Sequence, residues 1–216
     1  MSYDICIFDL DGTLTDPGLG ITKAYQLALS AFGIHEELDS LKRFIGPPLR
    51  DNFRKSCGFS ETDTEKAVSI FREYLNEKGL YENKLYTGIP ELLQTLADSG
   101  KMLAVATNKS TYFADLTVKH FEIDKYFGFI SGDTYDGSLT KNGKLEIIQA
   151  VLDALDPQRR KQAVMIGDRQ DDIIGANANN IDSIGITWGY GSRAELEAAG
   201  ATWIEDSPSA LSSLIC

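Results

Sequence analysis

Ile5-Cys6-Ile7-Phe8 is an unbroken apolar run, and Asp9-Leu10-Asp11-Gly12-Thr13-Leu14 follows it at once. A run of this kind suits a strand buried on both faces, as in a parallel sheet covered by helices. The two acids are spaced by the side-chain period of a strand, so Asp9 and Asp11 can point the same way. Gly12 lets the backbone turn sharply or approach a ligand closely. A buried strand that ends in paired acids sets negative charge at the carboxyl edge of an open α/β sheet, where such sheets bind ligands. Acids that close repel each other unless a cation or a shared proton intervenes. Mg²⁺ is the natural cation, since hard divalent ions prefer oxygen ligands. The alternative is a solvated turn, because Asp and Gly both favour turns.

The length of 216 residues allows one domain, or one domain with a large insertion. A 43% apolar share is enough for a proper core. The net charge of −11 argues against nucleic-acid polymers and anionic membranes as partners. Cys6, Cys57 and Cys216 show neither a disulfide framework nor zinc spacing, which fits a reducing, cytoplasmic setting. The N-terminus shows no basic stretch or apolar signal core. No apolar run approaches the roughly 18 residues of a membrane span.

After the first strand the pattern turns helical. Asp16-Pro17 suits a helix start, and Ile21, Ala24, Tyr25, Ala28 and Phe32 recur at helical spacing until Gly33. Short helices are expected near 36–44 and 49–56. A longer one carries Ala67, Ile70, Phe71, Tyr74 and Leu75 on one face, with Gly79 at its end. Strands and helices then alternate. Strands are expected at Met102–Ala106, Phe127–Ile130, Ala163–Ile166, Ser183–Ile186 and Ala201–Ile204. Helices fall between them, one running from Leu145 to Leu155 before Pro157. This alternation predicts an α/β fold: a Rossmann-like, doubly wound parallel sheet with an inserted bundle of helices. The core takes residues 1–16 and 84–216. The insertion takes 17–83, with hinges near Asp16 and near Asn83 to Tyr86, and can move as a lid.

A parallel sheet brings all its strand carboxyl ends to one edge, so groups distant in sequence converge there. They are Asp9 and Asp11, Thr107 with Asn108, Lys144, and Asp168 with Asp172. Thr107 and a following backbone N–H can donate to a phosphate oxygen, though Thr and Asn are also common loop formers. Lys144 opens a helix, where a positive charge sits poorly unless an anion is bound. Lys109 and Lys141 are its rivals. Gly167-Asp168-Arg169-Gln170-Asp171-Asp172 ends a buried strand in three acids, a charge that a metal would resolve.

Asp9-Leu10-Asp11-Gly12-Thr13-Leu14, Thr107, Lys144 and Gly167-Asp168-Arg169 with Asp172 resemble the four motifs of the haloacid dehalogenase (HAD) phosphatases. The resemblance covers nearly the whole chain. Gly46-Pro47-Pro48-Leu49-Arg50 and Trp188-Gly189-Tyr190-Gly191-Ser192 look like the phosphoglycolate phosphatase and 5′-nucleotidase branch. Gln170-Asp171 departs from it, since close relatives often carry Lys-His there. The resemblance implies Mg²⁺-dependent hydrolysis of a small phosphorylated metabolite by a monomer or homodimer. Asp9 would be the nucleophile and Asp11 the general acid and base. The ion would take Asp9, the Asp11 carbonyl, Asp168 and, less directly, Asp172. Thr107, Asn108 and Lys144 would hold the phosphate. The helical cap would choose the substrate through Arg50, whose guanidinium suits a carboxylate or second phosphate, and through the helix start at Gly18-Leu19-Gly20. A phosphomutase of the β-phosphoglucomutase type and a non-enzymatic phospho-switch are the alternatives.

Overall fold

The structure, a computed structural model, describes residues 3–136, 143–154 and 162–216. Lys141, Leu155 and Pro157 lie outside those residues. The chain opens on β1 (Ile5–Phe8), buried throughout. β2 (Thr15–Asp16) leads into a helical block. This comprises α1 (Gly18–Ser30), α2 (Leu38–Leu41) with a 3₁₀ turn over Lys42–Phe44, α3 (Leu49–Asp51) running on as a π turn to Ser56, and α4 (Glu61–Tyr74) running on as a π turn to Gly79. Ser60 caps α4 by accepting the Asp63 N–H at 3.1 Å. β3 (Lys84–Leu85) returns antiparallel to β2, pairing Thr15 with Leu85 and Asp16 with Lys84.

The rest alternates: α5 (Ile89–Asp98), β4 (Met102–Ser110), α6 (Thr111–His120), β5 (Phe127–Asp133), α7 (Leu145–Ala154), β6 (Ala163–Gly167), α8 (Gln170–Ala178), β7 (Asp182–Ile186), α9 (Arg193–Ala198), β8 (Trp203–Glu205) and α10 (Pro208–Ile215). The main sheet is parallel, in the order β5-β4-β1-β6-β7-β8. β1 lies inside it, with Phe8 level with Val105 of β4 and Ile166 of β6.

Alternate residues of β1 feed two cores. Cys6 and Phe8 pack with Leu92, Leu93 and Leu96 of α5, Val118 of α6 and Leu211 of α10. Ile5 and Ile7 pack with Ile147, Ile148 and Val151 of α7 and Ala176 of α8. This two-sided burial is why the run is apolar without a break. The helical block has a third core around Tyr25, whose ring centroid lies 5.0 Å from Phe44, 5.3 Å from Phe53 and 4.7 Å from Phe71. Its buried hydroxyl accepts from Asn52 Nδ2 at 2.7 Å. The β2–β3 ribbon is a finding beyond the sequence: two-residue strands leave no periodicity to read. It holds both ends of the helical block side by side.

Candidate active site

The carboxyl ends of β1, β4 and β6 are neighbours in the sheet. Asp9 leaves β1 anchored by its N–H on the Ile166 carbonyl at 2.9 Å. The chain then coils tightly, with Leu14 N and Thr15 N both donating to the Leu10 carbonyl at 3.0 Å. Gly12 makes this loop possible. Its φ is +95°, and a Cβ there would stand 2.4 Å from Asp168 Oδ2.

Asp9, Asp168 and Asp172 each offer a carboxylate oxygen, all within 4.8 Å of one another, and all three side chains are buried. Lys144 is buried among them, ion-paired with Asp172 and 2.9 Å from Asp9 Oδ1. Burial favours the neutral amine, but the charges of Asp172 and Asp9 outweigh it and hold Lys144 protonated above the usual range. Asp168 accepts from Thr13 Oγ1 at 3.3 Å and from Tyr190 N at 2.7 Å. Its carboxyl is pushed up to about 7, first by burial and then by the charge of Asp9. Asp172 accepts from Arg169 N at 3.0 Å and shifts up as well, chiefly through burial.

This cluster fits a divalent cation. Three buried carboxylates converge on a single ammonium, which contacts Asp9 and Asp172 and leaves Asp168 with only the Thr13 hydroxyl and the Tyr190 N–H among the described residues. An all-oxygen donor set suits Mg²⁺. Of the three acids ending β6, Asp168 and Asp172 join the cluster and Asp171 does not.

Beside the cluster lies a cavity of about 80 Å³, lined by Asp9, Asp11, Thr107, Asn108 and Lys109 on the sheet side and by the helical block on the other. Asp11 points here, as the spacing predicts. Its carboxylate is held outside the acid cluster by Lys109 Nζ at 2.7 and 2.8 Å, which leaves only its backbone carbonyl for an ion. Lys109 is a site residue that the sequence offered only as a rival to Lys144. The Thr107 hydroxyl accepts from Lys109 N at 3.3 Å. The Asn108 amide donates to the Gly46 carbonyl of the helical block at 2.9 Å, and its Oδ1 is buried without a partner among the described residues. Ser110 lines the same cavity with a buried hydroxyl that has no partner among the described residues. Arg169 adds a second tie from the sheet to the helical block, donating to the Ile45 carbonyl.

Arg50 lines the cavity, but Glu65 closes its guanidinium, with Nε and Nη2 donating at 2.6 and 2.8 Å. Arg72, which sequence spacing gave no reason to single out, lines it too. The helix start at Gly18 and Leu19 borders a different groove, with Asp39, Tyr86 and Tyr190. Ile21 and Tyr25, a turn further along α1, reach the cavity instead. The string around Tyr190 braces the site. Trp188 Nε1 donates to the Thr13 carbonyl at 3.0 Å, and the Tyr190 hydroxyl donates to Asp16.

A family model described as haloacid dehalogenase-like hydrolase matches residues 6–186. A 5′-nucleotidase of Pseudomonas aeruginosa is 44% identical over 199 residues, covering 92% of this chain and 89% of that protein. Tyrosine-protein kinase PtkA of Mycobacterium tuberculosis is 36% identical over 202 residues, covering 93% of this chain and 68% of that protein. The crystal structure of a predicted phosphatase from Clostridium acetobutylicum matches with a TM-score of 0.94 at 42% identity, covering 100% of this chain and 99% of the other. With its parallel sheet, its acid cluster and these likenesses together, the chain belongs to the haloacid dehalogenase-like hydrolases.

Proposed function

We propose that this chain hydrolyses a small phosphomonoester with Mg²⁺, through a phosphoryl group carried on Asp9. The observation that carries this reading is the gathering of Asp9, Asp168 and Asp172 at one point, next to a cavity that Asp9 and Asp11 both line. Asp9, Asp168 and the Asp11 carbonyl would hold the ion, with Asp172 supporting through Lys144. The bound cation offsets the repulsion between carboxylates and phosphoryl oxygens.

An Asp9 carboxylate oxygen attacks phosphorus, and the bond from phosphorus to the substrate's ester oxygen breaks. Asp11 gives its proton to the departing alcohol. A water then attacks the same phosphorus and yields its proton to Asp11, and the phosphorus–Asp9 bond breaks, restoring the carboxylate. Thr107, the Asn108 N–H and Lys144 steady the phosphoryl oxygens. Lys109 sits on Asp11 and shares the cavity, so its ammonium can turn to the phosphoryl group and release Asp11 for proton transfer. The helical block, residues 17–83, acts as the cap that shuts out water, tied down by Asn108 and Arg169.

Asp9→Asn tests this reading. The variant should keep the melting temperature within a few degrees and lose phosphate release by at least about 10³-fold, since it removes the nucleophile. Turnover near the parent rate would refute the assignment. Measuring free phosphate alongside isomerised sugar phosphate separates hydrolase from mutase, and a stable phosphoprotein without turnover would identify a switch. Transfer to a protein tyrosine, the activity in PtkA's name, fits the small covered cavity poorly.

A further inference from the structure

The helical side of the cavity is mostly apolar, with Ile21, Leu49, Phe71 and Leu75, yet two guanidiniums break it. They are not equivalent. Arg50 is neutralised by the two-pronged pair with Glu65, and the Asp133 carboxylate across the cavity adds to its balance. Arg72 pairs with no carboxylate among the described residues. Its guanidinium lies over the Tyr135 ring, 4.0 Å from the centroid. A ring face offsets only part of what a half-buried cation loses in leaving water. Burial, and after it the nearby charge of Arg50, accordingly hold Arg72 below the ordinary guanidinium range. The helical side of the wall thus presents two guanidiniums, and the carboxylate that forks onto Arg50 leaves Arg72 without a direct carboxylate partner among the described residues.

We propose that Arg72 determines specificity by binding a second anion on the alcohol half of the substrate, so that the substrate class is a small phosphomonoester whose leaving group carries its own carboxylate or phosphate. This rests on the hydrolase reading above and narrows it. A guanidinium forks equally well onto a carboxylate or a phosphate, and either would supply the counter-charge that Tyr135 does not. The size agrees. A cavity of about 80 Å³ is far below the ~300–1,000 Å³ of pockets for drug-sized ligands, so it suits a leaving group of a few atoms rather than a nucleoside. The expected role of Arg50 passes to Arg72, because Glu65 already fills the Arg50 fork.

The test measures phosphate release by the purified full chain with Mg²⁺ on matched esters. One pair is 2-phosphoglycolate and its uncharged counterpart 2-hydroxyethyl phosphate. The other is propane-1,3-diol bisphosphate and 3-hydroxypropyl phosphate. Adenosine 5′-monophosphate is the fifth substrate. In the parent, the charged member of at least one pair should have the higher kcat/KM by about tenfold or more, and the pair concerned identifies carboxylate or phosphate. Arg72→Met should cut that charged-to-neutral ratio about ten- to hundredfold, mainly through KM, and Arg72→Lys should restore part of it. Because the readout is a ratio, a general loss of folded protein does not move it, and Arg72→Gln provides a second neutral variant. Equal rates within both pairs, an unchanged ratio in the variants, or a preference for the nucleotide over both charged esters would overturn the assignment while leaving the hydrolase reading intact. Failure to turn over any ester, neutral ones included, would overturn both.

Discussion

Lys144 shows how one side chain binds this site together. Its ammonium is buried between Asp9 and Asp172, on carboxylates that come from β1 and α8. Removing one partner of a buried pair typically costs about 3–5 kcal/mol, because the remaining charges lose their compensation. Lys144→Met should therefore lower the melting temperature by roughly 6–20 °C in EDTA, at about 2–4 °C per kcal/mol for a chain of this size. Mg²⁺ should recover part of that loss, since it supplies positive charge to the same acids. Paired thermal melts check this, and a variant as stable as the parent in EDTA would show that the acids need no counter-charge. Lys144 could be singled out in the sequence because a lysine at a helix start carries a physical anomaly that an anion resolves, and the structure sets it against two carboxylates. Lys109 and Arg72 carried no such anomaly. Their meaning comes from Asp11 and Tyr135, which lie 98 and 63 positions away in the chain. The pairing of Arg50 with Glu65 was hidden for the same reason, since nothing in the sequence ties it to a residue on another helix.

At the scale of elements, the sheet was legible because β1, β4, β6 and β7 are short apolar runs between helices with clear faces. The ends of α3 and α4 were less so: both run on as π turns, which follow the same apolar spacing closely enough to be read as plain helix. The seam between α1 and the end of α4 was not legible at all. Gly20 lies so close to it that a Cβ would stand 2.1 Å from the Gly79 carbonyl oxygen. That contact is backbone, so it cannot be relieved by a side-chain rotation. Gly20→Ala should wedge α1 away from α4 at about 1–3 kcal/mol, the usual cost of overpacking a tight contact. The sheet, with its own two cores, should be spared. Hydrogen exchange checks this: amides of α1 and α4 should lose protection while those of β1 and β4 keep theirs. Equal loss in both would mean that the helical block and the sheet unfold as one unit.

For the whole molecule, metal, acidity and fold meet at Asp168. It is packed beneath Gly12, and it accepts the N–H of Tyr190, whose hydroxyl reaches Asp16 on the ribbon that carries the helical block. With a net charge of −11, the chain also draws divalent cations toward its acids. In the folded, metal-free protein the Asp168 carboxyl is pushed up to about 7, by burial first and by Asp9 second. An unfolded chain releases that proton near pH ~4. Between those limits the native state holds more protons than the unfolded state, so stability falls as pH rises. Asp172, shifted the same way, adds to the slope. A divalent ion binds the ionised carboxylates and reverses the loss, so its stabilising effect should grow over the same range. Melting temperatures in EDTA should thus decline from pH 5 to pH 7, while the increment from millimolar Mg²⁺ widens. Asp168→Asn, which cannot ionise, should flatten the decline and abolish most of the increment. A metal-free protein whose stability is level across that range, with a Mg²⁺ effect independent of pH, would mean that β1 and β6 do not share an ion.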